Sequence, residues 1–157
     1  MVTIDPDGRL DAPRLVFVKN AVAALTSDVK FAALEGYSYD SVGRVFELGE
    51  IGGVIKVMLV ELGIDFVVVP PVLLKKFATG STYASKEAML DAARDGGVMA
   101  GEDDNQADAF FLARIARAYA APTDRLRRCE LEVIHALRNP APKKAARRVR
   151  RLIKAAV

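Results

Sequence analysis

The sequence predicts an α/β fold in which helices flank a parallel pair of strands and a basic helical tail follows. Two short apolar runs, at residues 30–34 and 64–69, have the length of strands. The second run is apolar almost throughout, which is typical of a strand buried on both faces. A long helical pattern, Val45 to Leu62, lies between the runs and ends at Gly63. Strand, helix and strand in this order indicate a parallel pair with a helical crossover.

The other elements follow from apolar spacing and from turn residues. Residues 2–4 are expected to form a short strand, and Asp5 to Gly8 a turn. Apolar residues three and four apart predict a helix that begins at Pro13 and runs to Leu25. The later segments are predicted in this order: loop 36–43, loop 75–83, helix 86–94, loop 96–103, helix 104–119, helix 125–138, a proline-marked linker, and a short basic helix 143–154.

Charge divides the chain into an acidic body and a basic tail. The net charge is +3, but residues 123–157 hold eleven Lys and Arg against three Asp and Glu, a balance of +8 that leaves −5 for the rest. We therefore expect a domain at residues 1–122 and a C-terminal helix with a basic tail at residues 123–157. A polyanion, nucleic acid above all, is the natural partner of such a tail, and a solvated solubility tail is the alternative.

Several classes of protein are excluded by composition. Cys129 has no second cysteine to pair with, which fits a reducing cytoplasm, and the N-terminus has no signal-peptide pattern. Glu61 and Asp65 interrupt the most apolar stretch, so we expect no membrane partner. The single histidine, His135, lies in an apolar helical run, and neither a zinc cluster nor a nucleotide-binding loop is present.

Acidic residues stand where an α/β sheet usually places a site. Glu35 directly follows the first apolar strand, although a solvated turn acid would look the same. Asp104 and Asp108 lie one helical turn apart on one face, where like charges repel unless a cation lies between them. Asp104 also suits a helix N-terminus, but that does not explain Asp108. The pair indicates a hard, oxygen-liganded metal such as Mg²⁺.

Lysines surround a segment rich in hydroxyl groups. Lys75 and Lys76 precede Thr79-Gly80-Ser81-Thr82, and Lys86 follows it. Hydroxyls, backbone donors and ammonium groups together suit DNA phosphates, although a charged surface loop is the simpler interpretation of this motif alone.

Taken together, these segments resemble the RuvC-type Holliday-junction resolvases. Ala33-Leu34-Glu35-Gly36-Tyr37 resembles their strand-end glutamate motif, and residues 48–54 resemble the glycine-containing helix that follows. Residues 69–80 resemble the lysine loop of phage and bacterial members, and Lys86 follows Lys75 by eleven positions, as the second lysine does in RuvC. Residues 104–109 resemble the closing acidic motif, and the similarity runs in consistent order over residues 13–120.

The resemblance implies an RNase H-like mixed sheet flanked by helices and a dimer that cuts four-way DNA junctions. It implies two Mg²⁺ or Mn²⁺ ions about 4 Å apart, held by clustered carboxylates. Glu35 and Asp108 match two of the family's ligands. Where the family commonly has Asp or His three residues before the last acid, this chain has Asn105, and Asp104 is the other candidate.

The chain departs from the family at its start. The family's first catalytic Asp lies in a three-strand meander that needs roughly 30 residues before the first helix. Only 12 residues precede Pro13 here. We favour the interpretation that residues 2–4 form the last meander strand and Asp5 is a turn residue. The alternative is that Asp5 is the catalytic acid on a shortened sheet.

The sequence therefore predicts a dimeric, Mg²⁺- or Mn²⁺-dependent endonuclease that resolves branched DNA. Glu35, Asp104 and Asp108 are the expected metal ligands, with Asp5 as a further candidate. The expected DNA-binding residues are Lys75, Lys76, Lys86 and the tail residues Lys143, Lys144, Arg147, Arg148, Arg150, Arg151 and Lys154. If the seven tail residues all met duplex phosphates, they would steepen the log–log salt dependence of binding by about 6. A branched-DNA-binding protein without cleavage and a flap or fork nuclease are the alternative functions.

Overall fold

The computed structural model describes residues 4–5, 8–36, 45–98, 103–121 and 125–140. Six helices and two strands are found in these ranges. In chain order they are α1 (Asp11–Ala24), β1 (Phe31–Glu35), α2 (Val45–Glu61), β2 (Asp65–Val69), α3 (Pro71–Thr79), α4 (Lys86–Asp95), α5 (Asp104–Ala120) and α6 (Arg128–Arg138). No helix in this part of the chain is both long enough and apolar enough to cross a bilayer.

The predicted parallel pair is confirmed. β1 and β2 run parallel, with Phe31 opposite Asp65 and Glu35 opposite Val69, and α2 connects them. Their carboxyl ends therefore lie at the same edge of the sheet, where α/β folds place their ligands.

The two faces of the sheet carry separate apolar clusters, because successive side chains on a strand point to opposite sides. Ala32, Leu34 and Phe66 pack against a cluster built by α1 and α2, with Met58 and Leu59 at its centre. On the other face, side chains of both strands pack against a larger cluster drawn from α3, α4, α5 and α6. Its bulkiest buried members are Phe77, Phe111, Leu74 and Ile115. The described chain thus forms helix, sheet and helix layers.

The loop predicted for residues 75–83 is wrong over its first half. Residues 71–79 form α3, which begins with Pro71 at its first position and ends at Gly80, whose φ is +87°. The helix forms because proline suits a first turn and because Leu74, Phe77 and Ala78 bury one face. Lys75 and Lys76 consequently lie on a helix, and the loop is confined to residues 80–85.

The other helices agree with the sequence patterns to within a few residues. α2 and α5 match closely, and α1 begins two residues before Pro13. The predicted strand at residues 2–4 lies largely outside the described ranges, and Ile4 belongs to neither strand. The predicted basic helix at residues 143–154 lies outside the described residues altogether.

A buried acid that the sequence did not single out holds α6 against α3 and α5. Glu130 is 1% exposed, and its Oε1 accepts hydrogen bonds from Arg114 Nη2 at 3.0 Å and Arg127 Nη2 at 3.1 Å. Its Oε2 accepts from the backbone N–H of Arg127 at 2.8 Å. Arg127 also donates to the carbonyls of Phe77 and Ala78, at 2.7 and 3.0 Å, near the end of α3. One ionic cluster therefore fixes the end of the helix that carries Lys75.

Replacing this buried acid should be costly. We expect Glu130→Gln to lower the free energy of unfolding by about 2–4 kcal/mol, because an amide can neither neutralise the two guanidinium groups nor accept from all their donors. Urea unfolding followed by circular dichroism measures the change. Glu132→Gln, which alters two solvent-exposed ion pairs of the same helix, with Lys76 and with Arg128, is the matched control and should cost less than ~1 kcal/mol. Equal losses in the two variants would contradict a central role for Glu130.

Candidate functional site

Glu35 is the last residue of β1 and stands at the carboxyl edge of the sheet. The following residue, Gly36, extends the pairing, since its N–H donates to the carbonyl of Val69 at 2.7 Å. A Cβ at Gly36 would lie 3.2 Å from that oxygen and 3.4 Å from the Cα of Pro70. The glycine thus lets the backbone approach the neighbouring strand closely just beyond Glu35, the last residue of β1.

α5 brings the second group of acids to the same edge. Asp103 caps the helix, accepting from the backbone N–H of Asn105 at 3.0 Å. Asp104 is the first helical residue and Asp108 follows one turn later. Between them Ala107 is completely buried, and near the end of the helix Tyr119 stacks on Phe31 of β1 with ring centroids 5.3 Å apart. This packing aligns α5 along β1.

Glu35 and Asp108 interact through their charges. Partial burial, and then the charge of Asp108, raise the pKa of Glu35 above its ordinary value. Partial burial, and then the charge of Asp104, raise the pKa of Asp108 in the same way. Glu35 nevertheless keeps one side open to solvent. A strand end and a helix thus hold two carboxylates against their mutual repulsion, at an edge that a ligand can reach.

Asp104 has a different environment from the other two acids. Its carboxylate forms an ion pair with the ammonium group of Lys86, at the start of α4. That hydrogen bond lowers the pKa of Asp104 and raises the pKa of Lys86. The sequence assigned Lys86 to DNA phosphates and gave no sign of this pairing, because the two residues are brought together only when α4 packs on α5.

The two other lysines predicted to bind DNA point to different neighbours. The charge of Lys75 lowers the pKa of Asp108, as does that of Lys86, although burial and Asp104 outweigh both. Lys76 is instead paired with Glu132 of α6, Nζ to Oε2 at 2.8 Å. Lys75 and Lys86 therefore belong to the acidic site, whereas Lys76 is engaged in the packing of α3 on α6.

Asp104 and Asn105 are the two candidates for one of the metal ligands, and their contacts differ. The side-chain amide of Asn105 donates to the carboxylate of Asp103 at 3.0 Å, so it completes the helix cap. The charge of Asp104 instead acts on Asp108. Asp104 thus belongs electrostatically with the site, and Asn105 with the cap.

The carboxylates at this edge suit a hard divalent cation, but the third of them, Asp104, is paired with Lys86. Glu35, Asp108 and Asp104 offer only carboxylate oxygens, the ligands that Mg²⁺ and Mn²⁺ prefer. The repulsion between Glu35 and Asp108, which Lys75 and Lys86 offset only in part, also favours a cation there. Within the described ranges, however, no three acidic, histidine or cysteine side chains form a group able to hold a metal ion. As placed, Asp104 is neutralised by Lys86 instead.

The remaining predicted site residues are Asp5 and the basic residues of the tail. Asp5 is exposed and lies outside the described helices and strands. The tail residues Lys143, Lys144, Arg147, Arg148, Arg150, Arg151 and Lys154 lie outside the described residues, so their role stays a prediction.

Comparison with known proteins identifies a similar fold. No protein-family model and no curated protein matches the sequence. Among solved structures, that of Thermus thermophilus RuvC is similar, with a TM-score of 0.60 and 21% sequence identity. The similarity covers 76% of this chain and 72% of the Thermus chain. The two proteins therefore share a mixed α/β fold, as the sequence motifs predicted.

In the absence of metal, the negative charges of Glu35 and Asp108 should lower the stability of the folded protein. Because the folded protein raises the pKa of Glu35 and Asp108, their charged forms oppose folding. This destabilisation is complete above the folded-state pKa and is relieved as the pH falls below it. At pH 7 without divalent ions, Glu35→Gln and Asp108→Asn should each raise the Tm by about 1–3 °C in differential scanning fluorimetry.

Glu87, a surface acid whose pKa is lowered and not raised, provides the control. Hydrogen bonds to backbone and to Ser85 lower the pKa of Glu87, so its charged form favours folding and Glu87→Gln should not raise the Tm. A decrease of the Tm in Glu35→Gln and Asp108→Asn would contradict the repulsion described above.

Proposed function

We propose that this protein is a divalent-metal-dependent endonuclease that hydrolyses phosphodiesters of branched DNA, four-way junctions above all. The observation that carries the proposal is that α5, packed along β1 through Tyr119 and Phe31, brings Asp108 to the edge where β1 ends in Glu35. The charge of Asp108 raises the pKa of Glu35, which supports their proximity. A fold alone does not define an activity, since function depends on the residues of the site. Here carboxylates and lysines meet at the sheet edge where the fold places ligands.

Each residue of this edge has a distinct role in the proposal. Glu35 and Asp108 hold the metal, with Asp104 as the third ligand. Two Mg²⁺ or Mn²⁺ ions held there would supply an activated water and stabilise the charge on the leaving oxygen. Lys75 and Lys86 bind the phosphates that flank the cut, as point charges on flexible stems.

The ion pair between Lys86 and Asp104 connects DNA binding with metal binding. A phosphate that enters the site competes with Asp104 for the ammonium group, because both are anionic oxygen acceptors. When Lys86 turns to the phosphate, Asp104 loses its counter-charge and becomes available to a metal ion. DNA and metal ions therefore bind to the site cooperatively. The basic tail adds sequence-independent affinity, with the salt dependence given above.

A DNA-binding protein without cleavage is the second candidate. One observation favours it: no group of three potential ligands able to hold a metal occurs in the described ranges. In that case the same lysines bind the branch and the carboxylates do not complete a catalytic centre. A flap or fork nuclease with the same site would differ in its preferred substrate.

One variant, Glu35→Gln, should lose DNA cleavage while it retains DNA binding. With a synthetic four-way junction and Mn²⁺, we expect the wild-type protein to cut, and Glu35→Gln to reduce the rate at least ~100-fold through loss of a metal ligand. In EDTA, where no divalent ion occupies the site, gel shifts should show junction affinity unchanged within about twofold, since the variant keeps every lysine. Denaturing gels of labelled strands measure the cut, and flaps and forks serve as comparison substrates.

The control for this experiment is Glu61→Gln, which changes an acid of α2 that pairs with Lys19. Its cleavage rate should equal that of the wild type. A junction shift with no cleavage by the wild-type protein would favour the binding protein, and faster cutting of flaps or forks would favour the third function. Absence of any shift would refute branched-DNA recognition.

We further propose that the protein acts as a homodimer through the outer face of α2. Val57 and Val60 on this helix are exposed, and Val57 also lines a largely apolar groove of about 550 Å³ between α1 and α2, together with Val16 and Gly53. A Cβ built on Gly53 meets nothing within 4 Å, so a second helix has room to approach closely. Two copies are what two opposed cuts in one junction require.

A charged residue on this face should dissociate the dimer. We expect Val57→Glu to convert the dimer to a monomer in sedimentation equilibrium, because two carboxylates would be buried at a symmetric interface. Val72→Glu is the matched control, since Val72 is 53% exposed and Val57 is 56% exposed, but Val72 lies on α3. A wild-type monomer, or dissociation by Val72→Glu alone, would contradict this choice of interface.

A further inference from the structure

The last turn of α3 is capped by a side chain that comes from another part of the chain. The final carbonyls of a helix have no partner within it. Gly80 satisfies the carbonyl of Lys76, to which its N–H donates at 2.9 Å. Arg127, which directly precedes α6, satisfies the next two, since its Nη2 donates to the carbonyls of Phe77 at 2.7 Å and Ala78 at 3.0 Å. The helix dipole also favours a positive group at this end.

The same guanidinium group connects α3 with the helix that carries Asp108. Arg127 Nη2 donates to Glu130 Oε1 at 3.1 Å, and this oxygen also accepts from Arg114 of α5 at 3.0 Å. The end of α3 is therefore tied to α5 through one buried carboxylate, and Arg127 is the link that reaches α3. Replacing Arg127 removes this link but leaves the pair of Arg114 with Glu130 in place.

Lys75 lies on the helix whose end is held in this way, four residues before its last residue. The residue before Lys75, Leu74, and the residue before Asp108, Ala107, are both buried in one apolar cluster. The two charged residues therefore follow buried neighbours where α3 packs on α5, and the charge of Lys75 lowers the pKa of Asp108, which agrees with this placement. Because a lysine ammonium group sits on a flexible stem, the position of its helix decides which groups it can reach.

We propose that Arg127 is a positioning residue, which holds the end of α3 on α5 and thereby places Lys75 at a DNA phosphate beside the acidic edge. This inference rests on the proposed function, in which Lys75 binds phosphate. The Nη2 atom of Arg127 already faces three oxygens of the protein, so the guanidinium group is engaged in packing and acts on DNA through Lys75. The side chain is 52% exposed, which makes direct contact with DNA the alternative that the test must separate.

The salt dependence of junction binding, measured in a double-mutant cycle, tests this role. Fluorescence anisotropy in EDTA at several KCl concentrations gives the affinity of the full-length protein for a four-way junction. Lys75→Met should weaken binding about tenfold and lower the log–log salt slope by about 1, because one phosphate contact is lost. Arg127→Met should weaken binding about fivefold and lower the slope by about 1 as well. In the double variant the losses should not add, and the affinity should stay within about twofold of that of Lys75→Met.

Two further variants serve as controls, and circular dichroism checks that each protein is folded. Arg128→Met removes the charge of a neighbouring arginine, which pairs with Glu132 of its own helix, and should keep the affinity and slope of the wild type. Arg127→Lys retains a cationic donor near the carbonyls of α3. It should lose less affinity than Arg127→Met and should have no effect in the Lys75→Met background, so it tests the same coupling if Arg127→Met does not fold.

Three results would overturn the inference. Additive losses, with the slope lowered by about 2 in the double variant, would mean that Arg127 contacts DNA itself. Wild-type affinity and slope in Arg127→Met would mean that the cap does not position Lys75. Both of these results leave the proposed function intact. If the wild-type protein failed to bind the junction at all, the inference and the proposed function would both be refuted.

Discussion

The packing of α5 along β1 is the constraint on which the candidate site depends. Tyr119 stacks on Phe31, and completely buried Ala107 and Ile115 leave no room for the helix to shift. Because Asp108 directly follows Ala107, burying the alanine carries the carboxylate to the sheet edge where β1 ends in Glu35. The apolar contacts supply the free energy that holds two like charges near each other.

The buried and partly buried acids of the protein differ in whether positive or negative groups surround them. Glu130 is the more deeply buried, yet two arginines and a backbone N–H satisfy it, and it joins α6 to α3 and α5. Glu35 and Asp108 are less buried but face negative charge, and their pKa values are raised. A buried acid that is paired with arginines is typical of a structural role, whereas an acid whose pKa is raised at a solvent-exposed edge is typical of a functional site. This contrast with Glu130 favours a functional role for Glu35 and Asp108.

The sequence predicted the parallel strand pair and most helices because their apolar spacing is regular and their ends carry proline, glycine or acidic caps. It missed α3, since Pro70-Pro71 suggested an interruption although Pro71 begins a helix. It placed Glu35 and Asp108 at plausible positions, but their coupling depends on the packing of α5, which spacing does not encode. The Lys86–Asp104 pair and the Glu130 cluster join residues far apart in the chain, so no local pattern could predict them.

Anomalous diffraction from crystals grown with Mn²⁺ tests most directly whether Glu35 and Asp108 share a cation. We expect an anomalous peak within ligand distance of both carboxylates, about 2.2 Å from an oxygen of each, and its loss in crystals of Asp108→Asn. A manganese peak elsewhere on the protein, or none at this edge in crystals that also contain a bound DNA junction, would contradict the account.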